Sequence, residues 1–224
     1  MALNKNKCDE KLGIEVNNYL KEIGKQTPVD EPFLQRDNDI KLIEVEKCFK
    51  EIMRTLGLDL NDDSLQDTPR RVSKMFVNEI FWGLKNENFP KCTTVENKMN
   101  YDEMVIEKNI TSMSACEHHF VTIDGLAHIA YIPKNKVLGL SKLNRIVEYF
   151  SRRPQIQERL TEQIYYALHY ILETDDIAVV IEGKHYCVKS RGVEDNNSST
   201  ITSKMGGRFM TKPELRKEFM DLIR

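Results

Sequence analysis

The sequence predicts an α+β fold built on an antiparallel sheet. Two observations carry this. Helical periodicity dominates the first hundred residues. Near residue 102 the character changes to runs rich in Val, Ile, Thr and Tyr, and strands and helices then follow in groups. The resulting order is helices, two strands, two helices, two strands, helix.

Residues 1–38 read as an N-terminal arm, mobile or dependent on a partner. Within it, LGIEVNNYLKEIG sets Leu12, Val16, Leu20 and Ile23 near helical spacing, and KQTPVDEP breaks the pattern with two prolines. Residues 39–100 read as a helical region. Ile40, Ile43, Cys48, Phe49, Ile52, Met53 and Leu56 trace one apolar face. Asp39 suits its N-cap and Gly57 its stop. DTPRRVSKMFVNEIFWGL starts a second helix. Thr68 or Asp67 caps it, and Pro69 sits where a first turn tolerates proline. Its buried side is Val72, Phe76, Ile80 and Phe81.

Residues 101–224 read as the main domain. MVIEKNITSMSA and FVTIDGLAHIAYIP are strands, with Asp124–Gly125 as a turn. SKLNRIVEYFSRR is a helix capped by Ser141. PQIQERLTEQIYYALHYILE is a longer one, with Ile156, Leu160, Ile164, Leu168, Ile171 and Leu172 on one side. IAVVIEGKHYCVKSRG returns to strand. NNSSTITSKMGG is a loop or edge strand, and Thr211 caps a final helix over 212–223.

Composition bounds the function. A chain of 224 residues, 40% hydrophobic and 30% charged, suits one large soluble domain or a domain with a helical appendage. A net charge of −2 supplies no global pull toward nucleic acid or anionic lipid. No run approaches the length of apolar residues that spans a bilayer. Neither nucleic acid nor membrane is an expected partner. The five cysteines, Cys8, Cys48, Cys92, Cys116 and Cys187, are odd in number and scattered, unlike a secreted disulfide framework. Polar residues follow Met1 without an apolar leader. The expected location is a reducing cytoplasm.

The stretch SACEHHF, residues 114–120, sets Cys116, Glu117, His118 and His119 side by side. His185 and Cys187 recur far downstream, at strand spacing and on one face. Thiolate and imidazole suit zinc, and three protein ligands with an open fourth position form a catalytic arrangement. With zinc on Cys116, His119 and Cys187, His118 and His185 are left for proton transfer near neutral pH. Glu117 is either an outer carboxylate that orients a ligand or a solvent-facing strand residue. A Cys116–Cys187 disulfide is expected only as a product of oxidation after metal loss. His128 and His169 read as structural. Neighbouring strand residues face opposite ways, so both adjacent histidines reach one pocket only if the strand breaks at this spot.

Basic charge gathers on either side of these residues, over 141–160 and 184–208. GLSKLNR places Ser141, Lys142 and Arg145 at a helix start, where unpaired N–H groups favour anions. They either bind phosphates or simply cap. QIQERL places Gln157 and Glu158 in the first turn of the next helix. A carboxylate there either accepts two N–H bonds from a guanine edge or complements the helix dipole. Arg191, four residues past Cys187, can reach the same pocket.

Together, DDSLQDTPRRVSKMF, CEHHFVTIDG, AYIPK, GLSKLNRIVEYF, RPQIQERLTEQI and HYCVKSRG resemble the GTP cyclohydrolase I family, bacterial type. They run in family order over roughly residues 40–224, and the N-terminal arm lies outside. The resemblance implies a tunnelling fold, an antiparallel sheet with helices on one face that assembles with its neighbours into a barrel. Two pentamers stack into a decamer, with active sites between subunits. The resemblance also implies zinc on Cys116, His119 and Cys187, and GTP as substrate. His118 and His185 are the implied catalytic histidines, with Ser141 as a further proton carrier. Lys142, Arg145, Arg191 and Ser141 hold the triphosphate and ribose side. Gln157 and Glu158 hold guanine, and Arg71 and Lys74 reach the phosphates from a neighbouring subunit. The product is 7,8-dihydroneopterin triphosphate, with formate released. Two other readings compete: a tunnelling-fold nitrile reductase, which needs a nucleophilic cysteine and a nicotinamide cofactor, and a non-catalytic zinc-stabilised assembly protein.

Overall fold

The computed structural model describes residues 3–224. Four helices come first: α1 (Glu10–Glu22), α2 (Glu31–Leu34), α3 (Asn38–Thr55) and α4 (Thr68–Lys74). α4 runs into a π-helical turn over Met75–Ile80. β1 (Thr94–Glu96), β2 (Val105–Cys116), β3 (Thr122–Tyr131) and β4 (Lys136–Leu138) follow. Next come α5 (Leu140–Ser151), β5 (Pro154–Gln155), α6 (Gln157–Leu172), β6 (Ile177–His185) and α7 (Tyr186–Lys189). β7 (Thr200–Met205), α8 (Gly207–Thr211) and α9 (Pro213–Ile223) end the chain.

The main sheet has the order β5-β2-β3-β6-β7, and β1 pairs with β4 in a separate ribbon. β2, β3, β6 and β7 are antiparallel neighbours, and β5 joins the end of β2 in parallel. Alternation divides the central strands between two faces. Ala127, Ile129, Tyr131, Ile177, Val179 and Ile181 turn to a core shared with α5 and α6. Ala130, Ile132, Ala178 and Val180 turn the other way, under Phe209 and Phe219 of α8 and α9. The long helices therefore cover one face, and the C-terminal pair closes one end of the other.

α1 belongs to the core. Val16 and Leu20 are fully buried within the same cluster as α6. Asp9 caps this helix, accepting from the Leu12 amide. The chain after it is tied down by Arg153, which is only 2% exposed. Its guanidinium donates to the Gly83 carbonyl at 2.7 Å, Thr27 Oγ1 at 3.0 Å and Asn17 Oδ1 at 3.3 Å. It also lies 4.5 Å over the Tyr149 ring. Neutral acceptors and an aromatic face solvate this buried cation. Composition of the N-terminal segment showed none of this, because the anchor lies in α5's C-terminal flank.

Several local expectations shift. The cap of α3 is Asp37, whose carboxylate accepts from the Asp39 amide. Gly57 does end that helix, at φ 80°, with Leu58 N–H on the Met53 carbonyl and Gly57 N–H on Arg54. Only Met53 of the apolar stripe is buried, and Ile40, Ile43, Ile52 and Leu56 are exposed. Val72, Phe76, Ile80 and Phe81 are half-buried, while Ser73 is buried against the Leu42 carbonyl. Gly139, not Ser141, precedes α5. Thr211 ends α8, bonding back to Gly207, and Lys212 precedes α9.

Two differences reach the site. Asp124–Gly125 lies inside β3. A Cβ on Gly125 would sit 2.9 Å from the Glu182 carbonyl oxygen. This glycine serves close strand approach, not a turn. The turn between β2 and β3 is made instead by residues 117–121. Cys187 is also not on a strand. β6 ends at His185, and Cys187 sits in the helical turn α7.

Leu20→Ala should lower stability by about 3 kcal/mol, the usual cost of a cavity at a fully buried leucine. A urea denaturation midpoint that does not move would mean that α1 is not a core element.

Candidate metal and catalytic site

The ladder sets the site up. β3 is hydrogen-bonded on both sides, and Ile123 pairs with Ser114 of β2 and His185 of β6. β2 and β6 both run antiparallel to β3, so they leave the sheet at the same end. Cys116 and Cys187 each lie two residues past this shared row. Strands two apart in a sheet are roughly 10 Å from each other, too far for two thiols to share an ion. The turn of α7 closes that gap.

Cys116 is buried at the end of β2. Its amide donates to the Val121 carbonyl and its carbonyl accepts from the Phe120 amide, both at 2.8 Å. These bonds break the strand directly after Cys116 and fold His118 and His119 into a turn, the break that the adjacent histidines require. Phe120 closes the turn at φ 53°, an uncommon conformation for a bulky residue. Phe76 and Phe81 hold its ring, with centroids 5.9 and 5.3 Å away. Glu117 faces neither metal nor open solvent. Its Oε2 accepts two bonds from Arg159 of α6, at 2.8 and 2.6 Å, which pins the turn to the helix. Arg159 is a site-supporting residue that sequence reasoning missed; no local pattern links it to Glu117, 42 positions away.

The ligand atoms of Cys116, His119 and Cys187 all lie within 4.8 Å of one another. A tetrahedral zinc with thiolate and imidazole ligands spaces its donor atoms roughly 3.5 Å apart. The donor set and its spacing therefore fit such an ion with small side-chain adjustments. Both thiols are free. Burial and the adjacent Cys116 push the Cys187 thiol up; a divalent cation bound there would favour its thiolate form. His118 approaches the same centre, with Nδ1 3.6 Å from Cys116 Sγ. Its ring centroid is 6.4 Å from that of His119. Arg191 lies 2.9 Å from His119 Nε2, so α7 and its flank bring both Cys187 and Arg191 to the turn.

His185 stands at the end of β6, half-buried. Burial pushes its pKa down and the Glu158 carboxylate opposes this, which brings Glu158 within electrostatic reach. His185 Nε2 is 2.8 Å from Gln157 Oε1. Gln157 itself is 2% exposed, and Glu158 is the exposed member of the pair. Ser141, Lys142 and Arg145 line the first turns of α5. Lys142 and Arg145 act on Cys92, whose thiol burial nevertheless pushes up to about 12. Arg71 and Lys74 lie on α4, where Arg71 faces Asp67 at 3.8 Å. His128 is buried, with Nδ1 3.4 Å from the Asn109 amide, and His169 bridges Tyr19 and Asp175. Both fit structural roles.

The sequence compares with known proteins as this geometry suggests. The family described as GTP cyclohydrolase I matches residues 45–224. A relative named GTP cyclohydrolase 1 from Pasteurella multocida (strain Pm70) is 53% identical, over 93% of this chain and 95% of its own length. Relatives of the same name from Aeromonas hydrophila and Aeromonas salmonicida (strain A449) are 57% and 58% identical. These alignments cover 82% and 79% of this chain, and 84% and 81% of the relatives. With a family match over most of its length and close relatives spanning nearly all of it, the chain belongs to the GTP cyclohydrolase I family, enzymes that act on GTP.

Proposed function

We propose that this enzyme converts GTP to 7,8-dihydroneopterin triphosphate with release of formate, using zinc held by Cys116, His119 and Cys187. The observation that carries the reading is the convergence of two thiols and an imidazole within 4.8 Å, from segments about seventy residues apart. When bound, zinc supplies a Lewis acid that brings the pKa of a coordinated water toward about 7. His118, beside Cys116, donates a proton to guanine N7, which makes C8 open to hydrolysis. His185 and Ser141 carry protons in the later ring opening and rearrangement of the ribose. Glu158 accepts N–H bonds from the guanine edge, with Gln157 behind it. Ser141, Lys142 and Arg145 at the start of α5, together with Arg191, hold the triphosphate by charge and N–H donation. The triphosphate is not cleaved.

The reading includes a homodecamer of two stacked pentamers, with Arg71 and Lys74 reaching the site of a neighbouring subunit. Two features support assembly. β7 ends the sheet with an open edge, and Ile40, Ile43, Ile52 and Leu56 leave an apolar stripe on α3. No helix among the described residues is long and apolar enough to cross a membrane, and a cytoplasmic setting suits two free thiols at the site.

Incubation with GTP followed by oxidation should give pterin fluorescence and formate, and a chelator should suppress both. Cys187→Ser should lose zinc and turnover together; normal turnover in the zinc-free variant would sink the metal assignment. His118→Ala should keep its zinc yet stall ring opening, and loss of metal instead would exchange the roles of the two histidines. Glu158→Gln should raise KM for GTP by about tenfold or more, the scale of a hydrogen bond to a charged group. An unchanged KM argues against guanine recognition there.

A further inference from the structure

The side-chain amide of Gln157 has one possible orientation. Its Nε2 lies 3.0 Å from the Ile181 carbonyl, 2.9 Å from the Thr200 carbonyl and 3.2 Å from Thr202 Oγ1. Two of these are pure acceptors, so the atom facing them must be the NH2 group. Turning the amide over would set its oxygen against two carbonyl oxygens with no hydrogen between them. The hydroxyls agree with this polarity. Thr161 donates to the Gln157 carbonyl at 2.9 Å and stands 2.7 Å from Thr202 Oγ1. Thr202 therefore gives its proton to Thr161, and its oxygen faces the Gln157 NH2 group as an acceptor. Gly183 is part of the same arrangement, since a Cβ there would sit 2.5 Å from Gln157 Oε1.

With Nε2 so fixed, Oε1 is the atom that faces His185 Nε2 at 2.8 Å. An amide oxygen only accepts. His185 Nε2 must then carry a hydrogen, and a neutral imidazole has only one to place. We infer that Gln157 is a positioning residue that fixes neutral His185 as the Nε2–H tautomer, leaving Nδ1 as the nitrogen without a hydrogen. This rests on the reading of His185 as a proton carrier and reassigns Gln157, whose amide is fully engaged away from guanine. The control runs from the β6–β7 edge and α6 to the site through one side chain.

The zinc-loaded full-length protein, labelled with 15N only at histidine, tests this directly at a pH where the imidazole is neutral. The His185 signals are identified by their loss in His185→Gln. Nε2 should show coupling to a directly bonded hydrogen and Nδ1 none; a hydrogen on Nδ1 with bare Nε2 overturns the inference. Gln157→Met keeps the length of the side chain and removes the acceptor. Its kcat should fall by about 10- to 100-fold, the usual loss when a group orienting a site residue is removed, with KM for GTP unchanged. A loss carried by KM instead would make Gln157 a substrate-binding residue and overturn the positioning role. Should Gln157→Met fail to fold, the tautomer measured on the unsubstituted protein still decides. Failure of that protein to form any pterin would sink the functional reading and leave the tautomer result standing.

Discussion

The register of β3 against its two neighbours is the constraint on which the site depends. Ile123 sits between Ser114 and His185, and Cys116 and Cys187 each follow two residues later. A slip of one residue in either pairing would turn every side chain of that strand to the opposite face and carry one thiol away from the other. The register is held by burial on both sides. Ile129 and Val179 are buried in the main core, and Ala130 and Val180 under the C-terminal helices. Hydrophobic burial far from the site thus fixes the position of the groups that could hold a metal there.

Chain direction then does the rest. β2 and β6 leave the same end of the sheet and must both stop extending there. β2 stops because Cys116 bonds across the turn to Phe120 and Val121, with Glu117 clamped by Arg159. β6 stops in the single helical turn of α7, which swings Cys187 and Arg191 toward that turn. The β2–β3 turn is backed by the Phe76–Phe81–Phe120 aromatic cluster, which packs Phe76 of the π-helical segment against Phe120. His185 remains on the strand end and takes its orientation from Gln157. The histidines and cysteines thereby divide into groups that can hold a cation and groups that can move protons.

Much of the fold was legible in the sequence. The helical periods of α1, α3, α5 and α6 and the Val/Ile/Thr-rich strands needed only local pattern. Errors fell where several local rules compete. Asp-Gly is a strong turn signal, yet Gly125 is in a strand because the Glu182 backbone comes too close for a Cβ. HYC reads as a strand continuation, yet the chain coils after His185. Asp39, Ser141 and Thr211 all suit a cap by type. In the structure Asp37 caps α3, while Gly139 and Lys212 precede α5 and α9. The arm reading of the first residues overlooked Arg153, whose partners Asn17 and Thr27 are more than a hundred positions away.

By itself, the sequence determined the chemistry: which donors exist, that thiolate and imidazole suit zinc, that charge around 141–160 and 184–208 is basic, and that family motifs run in order. Those are properties of residue type and spacing. Only the tertiary structure decided which atoms meet. It drew Cys116, His119 and Cys187 into one group, gave Glu117 to Arg159, and turned Gln157 toward His185. The reason is that these contacts join residues tens of positions apart through strand pairing and core burial, and no local pattern encodes a distance across the sheet.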